Sequence, residues 1–190
     1  MDFSFSEEQD ELGVMARSFL ADASDPEKVR AVMQTPLGYD AEVWNRIGTE
    51  LGWCCVHIPE EYGGLGLGFV DLAVLLEATG ESVLCAPFFS TVALGANTIL
   101  ECGTEAQKQE RLPAIAEGTQ TATLAFAEAS GQWDADGISA TATPDGDGFV
   151  LNGTKAWVVD GHSADLVLVV ARAPGTTGED GLSVFAVGGG

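Results

Sequence analysis

The sequence predicts an α+β chain, with an all-α helical bundle over residues 1–118 and an antiparallel β-sheet or barrel over residues 119–190. Three observations predict it. Apolar residues recur at spacings of three and four as far as residue 118 and cease to do so beyond it. From Thr119 onward, short runs of β-forming residues alternate with turn residues. Nowhere does a glycine-rich turn join a strand to a helix within a βαβ unit, so a doubly wound nucleotide-binding fold is disfavoured.

The helical elements follow in order. Ser6-Glu7-Glu8-Gln9 has the form of a capping box, and Leu12, Met15, Ala16, Phe19 and Leu20 then trace one apolar stripe. Asp25-Pro26 supplies a cap and a first-turn proline for a second, short helix. Asp40 opens a third, whose Val43, Trp44, Ile47 and Leu51 face one way before Gly52 stops it. HIPEEYGGLGLG, residues 57–68, is a break. Its glycines suit a tight loop between helices, and no desolvating neighbour marks the adjacent Glu60 and Glu61 as an acid/base pair. Phe69–Cys85 and Phe89–Glu101 read as two apolar helices, the first ended by Pro87 and the second by Cys102-Gly103. Thr104 caps a sixth, which Pro113 should kink or end.

Six strands are expected in the second half, at residues 121–127, 138–143, 149–152, 156–159, 166–173 and 182–187, with Pro144–Gly148 as a hairpin turn. The chain stops at VFAVGGG directly after the last of them, which leads to the expectation that the native protein continues or that this is a truncated piece.

Composition narrows the function. Eight Lys and Arg against 29 Asp and Glu give a formal net charge of −21, a field that repels a polyphosphate strand, so nucleic acid is not an expected partner. No long apolar run and no basic-then-apolar leader occurs, so neither a membrane span nor a secretory signal is indicated, and a cytoplasmic protein is expected. Cys54, Cys55, Cys85 and Cys102 form no CxxC pair, and with only His57 and His162 available no zinc site is expected; the cysteines read as reduced, mostly buried small apolar residues. His162 reads as a loop or sheet-edge histidine rather than a base.

IPEEYGG at 58–64 in the helical half and NGTKAWVVDGHSAD at 152–165 in the strand half together resemble the acyl-CoA dehydrogenases, with the similarity running in order over essentially the whole chain. Taken one at a time these residues also suit plain structure, since Asn-Gly is a hairpin dipeptide and a tryptophan is commonly a core residue. The resemblance implies an N-terminal helical domain and a middle β-domain, with the family's C-terminal helical domain missing from this stretch. It also implies FAD as cofactor, an acyl-CoA thioester as substrate, and a homo- or hetero-oligomer of acyl-CoA dehydrogenase subunits, typically a tetramer.

Two family segments line the flavin. The first, which ends in Thr-Glu-Pro-x-Ala-Gly-Ser-Asp, matches Leu124-Ala-Phe126-Ala127-Glu128-Ala-Ser-Gly-Gln-Trp133-Asp134. Here Ala127 stands where the family has Thr, and Trp133 where it has Ser. The second matches Asn152, Gly153, Lys155, Trp157, Gly161, Ala164 and Asp165, with Val159 in place of a Thr or Ser. The resemblance therefore assigns Leu124, Phe126, Ala127, Trp157 and Val159 to the flavin and Trp133 to the mouth of the acyl pocket. It assigns no catalytic residue, because the family's carboxylate base lies in the C-terminal domain. EASGQWD and DGHSAD further resemble actinobacterial subunits of sterol side-chain degradation. A non-catalytic interaction subunit is the alternative, and a nicotinamide enzyme is disfavoured.

Overall fold

A computed structural model describes residues 4–189; Met1–Phe3 and Gly190, the outer ends of the two expected domains, lie outside the described residues. The expected order of a helical half followed by a sheet half holds. α1 (Glu7–Ala23) carries the Ser6/Gln9 capping box, and α2 (Pro26–Val32) is capped by Asp25 with proline in its first turn. α3 (Ala41–Asn45) starts at Asp40, whose carboxylate accepts from the backbone N–H groups of Glu42 and Val43. It continues as a π-helical turn, Arg46–Glu50. That wider turn moves Leu51 off the buried face held by Val43, Trp44 and Ile47, and leaves it exposed against expectation. In α1 the buried line is Gly13, Ala16, Leu20 and Ala23, and Met15 faces solvent.

α4 (Phe69–Glu81) ends four residues before the expected Cys85, because the chain turns at Ser82 and Val83, the latter at φ 50°. The next helix runs as a π-helical stretch, Ser90–Ala96, into α5 (Asn97–Cys102). α6 (Glu105–Ala116) has the Thr104/Gln107 capping box and passes through Pro113 without ending there. The proline removes one intrahelical hydrogen bond, the one its own N–H would donate to the Gln109 carbonyl, and less than a full turn of helix follows it. The glycine segment is a loop made by close approach: a Cβ at Gly64 would lie 1.8 Å from the Ile58 carbonyl oxygen.

The sheet contains β1 (Ala122–Ala125), β2 (Thr141–Asp145), β3 (Gly148–Asn152), β4 (Leu166–Arg172) and β5 (Leu182–Gly188). It is mixed and open, which corrects the antiparallel expectation. β4 is central, parallel to β1 over four pairs and to β2 at one, and antiparallel to β5. Hairpin spacing had suggested antiparallel neighbours throughout, but the long excursion from residue 126 to 165 lets β4 return in the direction of β1, as a parallel pair requires. The β2–β3 hairpin turns where expected, at Asp145–Gly148. Residues 156–159 form no strand.

One core lies within the helices, around Trp44, Ile47, Trp53, Leu72, Leu75 and Phe88. A second joins the two halves by burying Ala122, Leu166 and Leu168 of the sheet against Ala96, Ile99, Leu112 and Ile115 of the helices. Of the four cysteines, all free thiols, only Cys54 is buried, and burial, with Cys55 beside it, pushes its thiol up to about 12. Cys102, at the last position of α5, faces solvent, so the expectation of mostly buried cysteines is corrected. Among the described residues no helix is long and apolar enough to cross a membrane.

Candidate functional site

Residues 153–165, expected to include a strand, run beside β1 without any ladder. They are tied to it by side chains and single backbone bonds. Asp165 accepts from the Thr121 backbone N–H and hydroxyl, each at 2.8 Å. The buried Thr123 hydroxyl donates to the Val159 carbonyl at 2.6 Å. Past the end of β1, the Ala156 N–H donates to the Ala127 carbonyl at 2.9 Å. Lys155 donates to the Phe126 carbonyl at 3.1 Å and to the Glu128 carboxylate at 2.7 Å. The helical half holds the same segment from its other side: Ser90 donates to the Asp160 carboxylate at 2.6 Å, and His162 Nε2 lies 3.1 Å from the Leu37 carbonyl, where it must act as the donor. His162 is thus a loop histidine fixing the segment.

Glu128 is the polar centre. It is 7% exposed and accepts from the backbone N–H groups of Ser139 and Ala140, from the Ser139 hydroxyl and from Lys155. Burial alone would raise its pKa, but the Lys155 and Ser139 side chains and the two backbone donors outweigh it and hold the carboxyl down to about 2. A carboxylate so held is a permanent anion and no proton carrier near neutral pH. Resemblance placed Glu128 and Lys155 on the family pattern without a role, and the signal for their pairing, a buried Glu and Lys, is invisible in a linear sequence.

The residues expected at the cofactor and substrate occupy different settings. Leu124 is half-buried in β1 and packs against the core shared with the helices. Phe126 is half-buried just past the strand, and Trp133 meets it edge to face, with centroids 5.4 Å apart and planes at 88°. Trp133 is otherwise 76% exposed, on a loop whose Asp134 caps the turn Ala135–Gly137. The Ala127 side chain is buried. Trp157 is 70% exposed and Val159 44% exposed on the strip that Lys155, Ala156 and Thr123 pin down.

Trp157 also explains why 156–159 is no strand. Its φ is 51°, and that of Asp160 is 52°, in the left-handed region where a bulky side chain is uncommon and costs roughly 1–3 kcal/mol. The β-forming residues Trp157, Val158 and Val159 suggested extended backbone, and the anchors on either side override that preference. A large aromatic that is both exposed and conformationally costly gains nothing from the core. The strip therefore leaves Trp157 and Val159 exposed on a backbone held by its neighbours.

Residues 6–119 match the acyl-CoA dehydrogenase N-terminal domain, and residues 123–190 the acyl-CoA dehydrogenase middle domain. The chain is 32% identical over 152 residues to a mitochondrial isovaleryl-CoA dehydrogenase of Arabidopsis thaliana, covering 78% of this chain and 36% of that protein. It is 31% identical over 177 residues to the probable acyl-CoA dehydrogenase YngJ of Bacillus subtilis, covering 90% and 45%. Among solved structures, a steroid ACAD variant superposes with a TM-score of 0.83 at 36% identity, over 96% of this chain and 48% of that one. Butyryl-CoA dehydrogenase of Megasphaera elsdenii superposes with a TM-score of 0.84 at 28% identity, over 100% and 50%. The chain thus spans half or less of the length of these relatives. With both successive domains matched in order, this chain belongs to the acyl-CoA dehydrogenase family.

Proposed function

We propose that this chain supplies the helical and middle β parts of an FAD-dependent acyl-CoA dehydrogenase acting in lipid or sterol side-chain catabolism, within an oligomer of such subunits. The observation that carries the proposal is Trp157: solvent-exposed, in left-handed backbone, on a strip anchored to both halves of the molecule. Its indole and Val159 fit one face of an isoalloxazine, with Phe126 and the edge of β1 continuing the wall. Bound there, FAD would accept the β-hydrogen of an acyl thioester as hydride. The residues of this chain bind, orient and exclude water. The pinned strip fixes the ring plane, and Trp133 on Phe126 narrows the approach to it, favouring acyl groups that can pass a broad aromatic edge.

Ala127 and Val159 replace hydroxyl-bearing residues of the family pattern, so ring recognition here leans on apolar contact and backbone groups. Each lost neutral hydrogen bond lowers affinity by roughly 0.5–1.5 kcal/mol. We assign no proton-abstracting base within residues 4–189, and propose that these residues alone do not turn over. The same two substitutions favour a second reading, a subunit that assembles with a catalytic partner without itself holding flavin.

The visible absorbance of the native gene product, purified alone and with any co-encoded homologue, tests the two readings. Flavin bands that bleach on addition of acyl-CoA support the dehydrogenase. Colourless protein in both preparations supports the non-catalytic subunit.

A further inference from the structure

We infer that the Lys155–Glu128 pair is a positioning device that sets the distance between the two flavin-facing segments and keeps Trp157 presented; the inference rests on the flavin reading above. The regular pairing of β1 with β4 ends at Ala125, opposite Val169. Lys155 and its neighbour reach each of the next three residues: the Lys155 ammonium donates to the Phe126 carbonyl, the Ala156 N–H to the Ala127 carbonyl, and the Lys155 ammonium again to the Glu128 carboxylate. Two residues beyond Lys155 stands Trp157, in backbone that does not hold itself.

The pair is suited to fix a distance. Both side chains are only 9% exposed, and the carboxylate is also gripped by Ser139 and Ala140 at the approach to β2. Lys155 is therefore tied through Glu128 to the entry of the β2–β3 hairpin as well as to the end of β1. An ammonium on a four-carbon stem reaches both acceptors at once, whereas an aliphatic side chain of equal length would fill the space and anchor neither. Buried ion pairs contribute little net stability compared with apolar packing, so retaining one here points to geometry. Lys155 touches no reacting atom in this scheme and acts through the position of Trp157.

The test compares the 190-residue chain with its Lys155→Met and Lys155→Arg variants by amide hydrogen exchange, thermal unfolding and titration with FAD. In Lys155→Met the Ala156 amide should exchange at least about tenfold faster while amides of α1 and α4 keep their wild-type protection, showing local loosening in a folded chain. Flavin affinity should fall roughly ten- to a hundredfold, and Lys155→Arg should recover part of both effects. Wild-type exchange at Ala156 in Lys155→Met would overturn the inference. So would equal flavin affinity in the wild type and Lys155→Met. If the wild-type chain binds no flavin, exchange alone decides whether the pair positions Trp157, and the flavin reading is decided separately by the absorbance of the native gene product.

Discussion

β4 and the strip at 153–165 lie on either side of the same question, since both flank β1 and both are rich in β-forming residues. β4 pairs with β1 through a regular ladder and buries Leu166 and Leu168 in the core shared with the helices. The strip has no ladder, two non-glycine residues at positive φ, and an exposed tryptophan. One is held by what it buries and the other by what it is tied to. The difference separates scaffold from proposed site: burial stabilises β4, whereas the strip keeps an unfavourable backbone because named polar groups fix it.

Phe88, 1% exposed and edge to face with Trp53, stands for the scaffold. Phe88→Ala should cost about 3–5 kcal/mol in urea unfolding, enough to unfold a marginal domain. A cost below about 1 kcal/mol would mean that the helical core is looser than its packing shows.

Thr123→Val comes next. It keeps the volume but removes the donor to the Val159 carbonyl, and it should cost about 1–3 kcal/mol if that carbonyl is left without a partner. A neutral result would show that water takes the place of the hydroxyl and that the strip is less tightly held.

The carboxylate that anchors Lys155 should show itself in the acid limb of stability. Because the folded-state pKa of Glu128 is about 2, below its ordinary 4.5, its contribution is fully present above 4.5 and is lost as pH falls from there towards 2. The stability difference between the wild type and Glu128→Gln should be largest near neutral pH and shrink across that window in acid titrations followed by circular dichroism. A constant difference would mean that the carboxylate is not the group held.

Trp157→Gly should have the smallest effect on folding. Removing an exposed side chain from left-handed backbone should leave thermal stability unchanged or raise it by up to about 1 kcal/mol.

Much of the scaffold was legible because helix starts are local. Ser6/Gln9, Asp25-Pro26, Asp40 and Thr104/Gln107 each act within four residues, and all cap as read. Phase was less legible, since the π-helical turn after Asn45 shifts Leu51 off a face that ideal spacing places inward. Sheet direction was not, because whether β4 lies parallel to β1 depends on a 40-residue excursion. The site was legible in part. Trp157 and its neighbours stand out by resemblance, but their left-handed backbone runs against the β-propensity of the same residues. The Glu128–Lys155 pair spans 27 positions and has no linear signature.

The most direct test of a strip built for a flat cofactor is titration of FAD into the wild-type chain and Trp157→Gly, followed by flavin fluorescence with thermal unfolding in parallel. The account predicts quenching that saturates for the wild type and a loss of affinity of at least about tenfold in the variant, or roughly 1.4 kcal/mol, with no loss of stability. Equal affinities, or a variant that loses stability as much as flavin, would contradict it and return Trp157 to the scaffold.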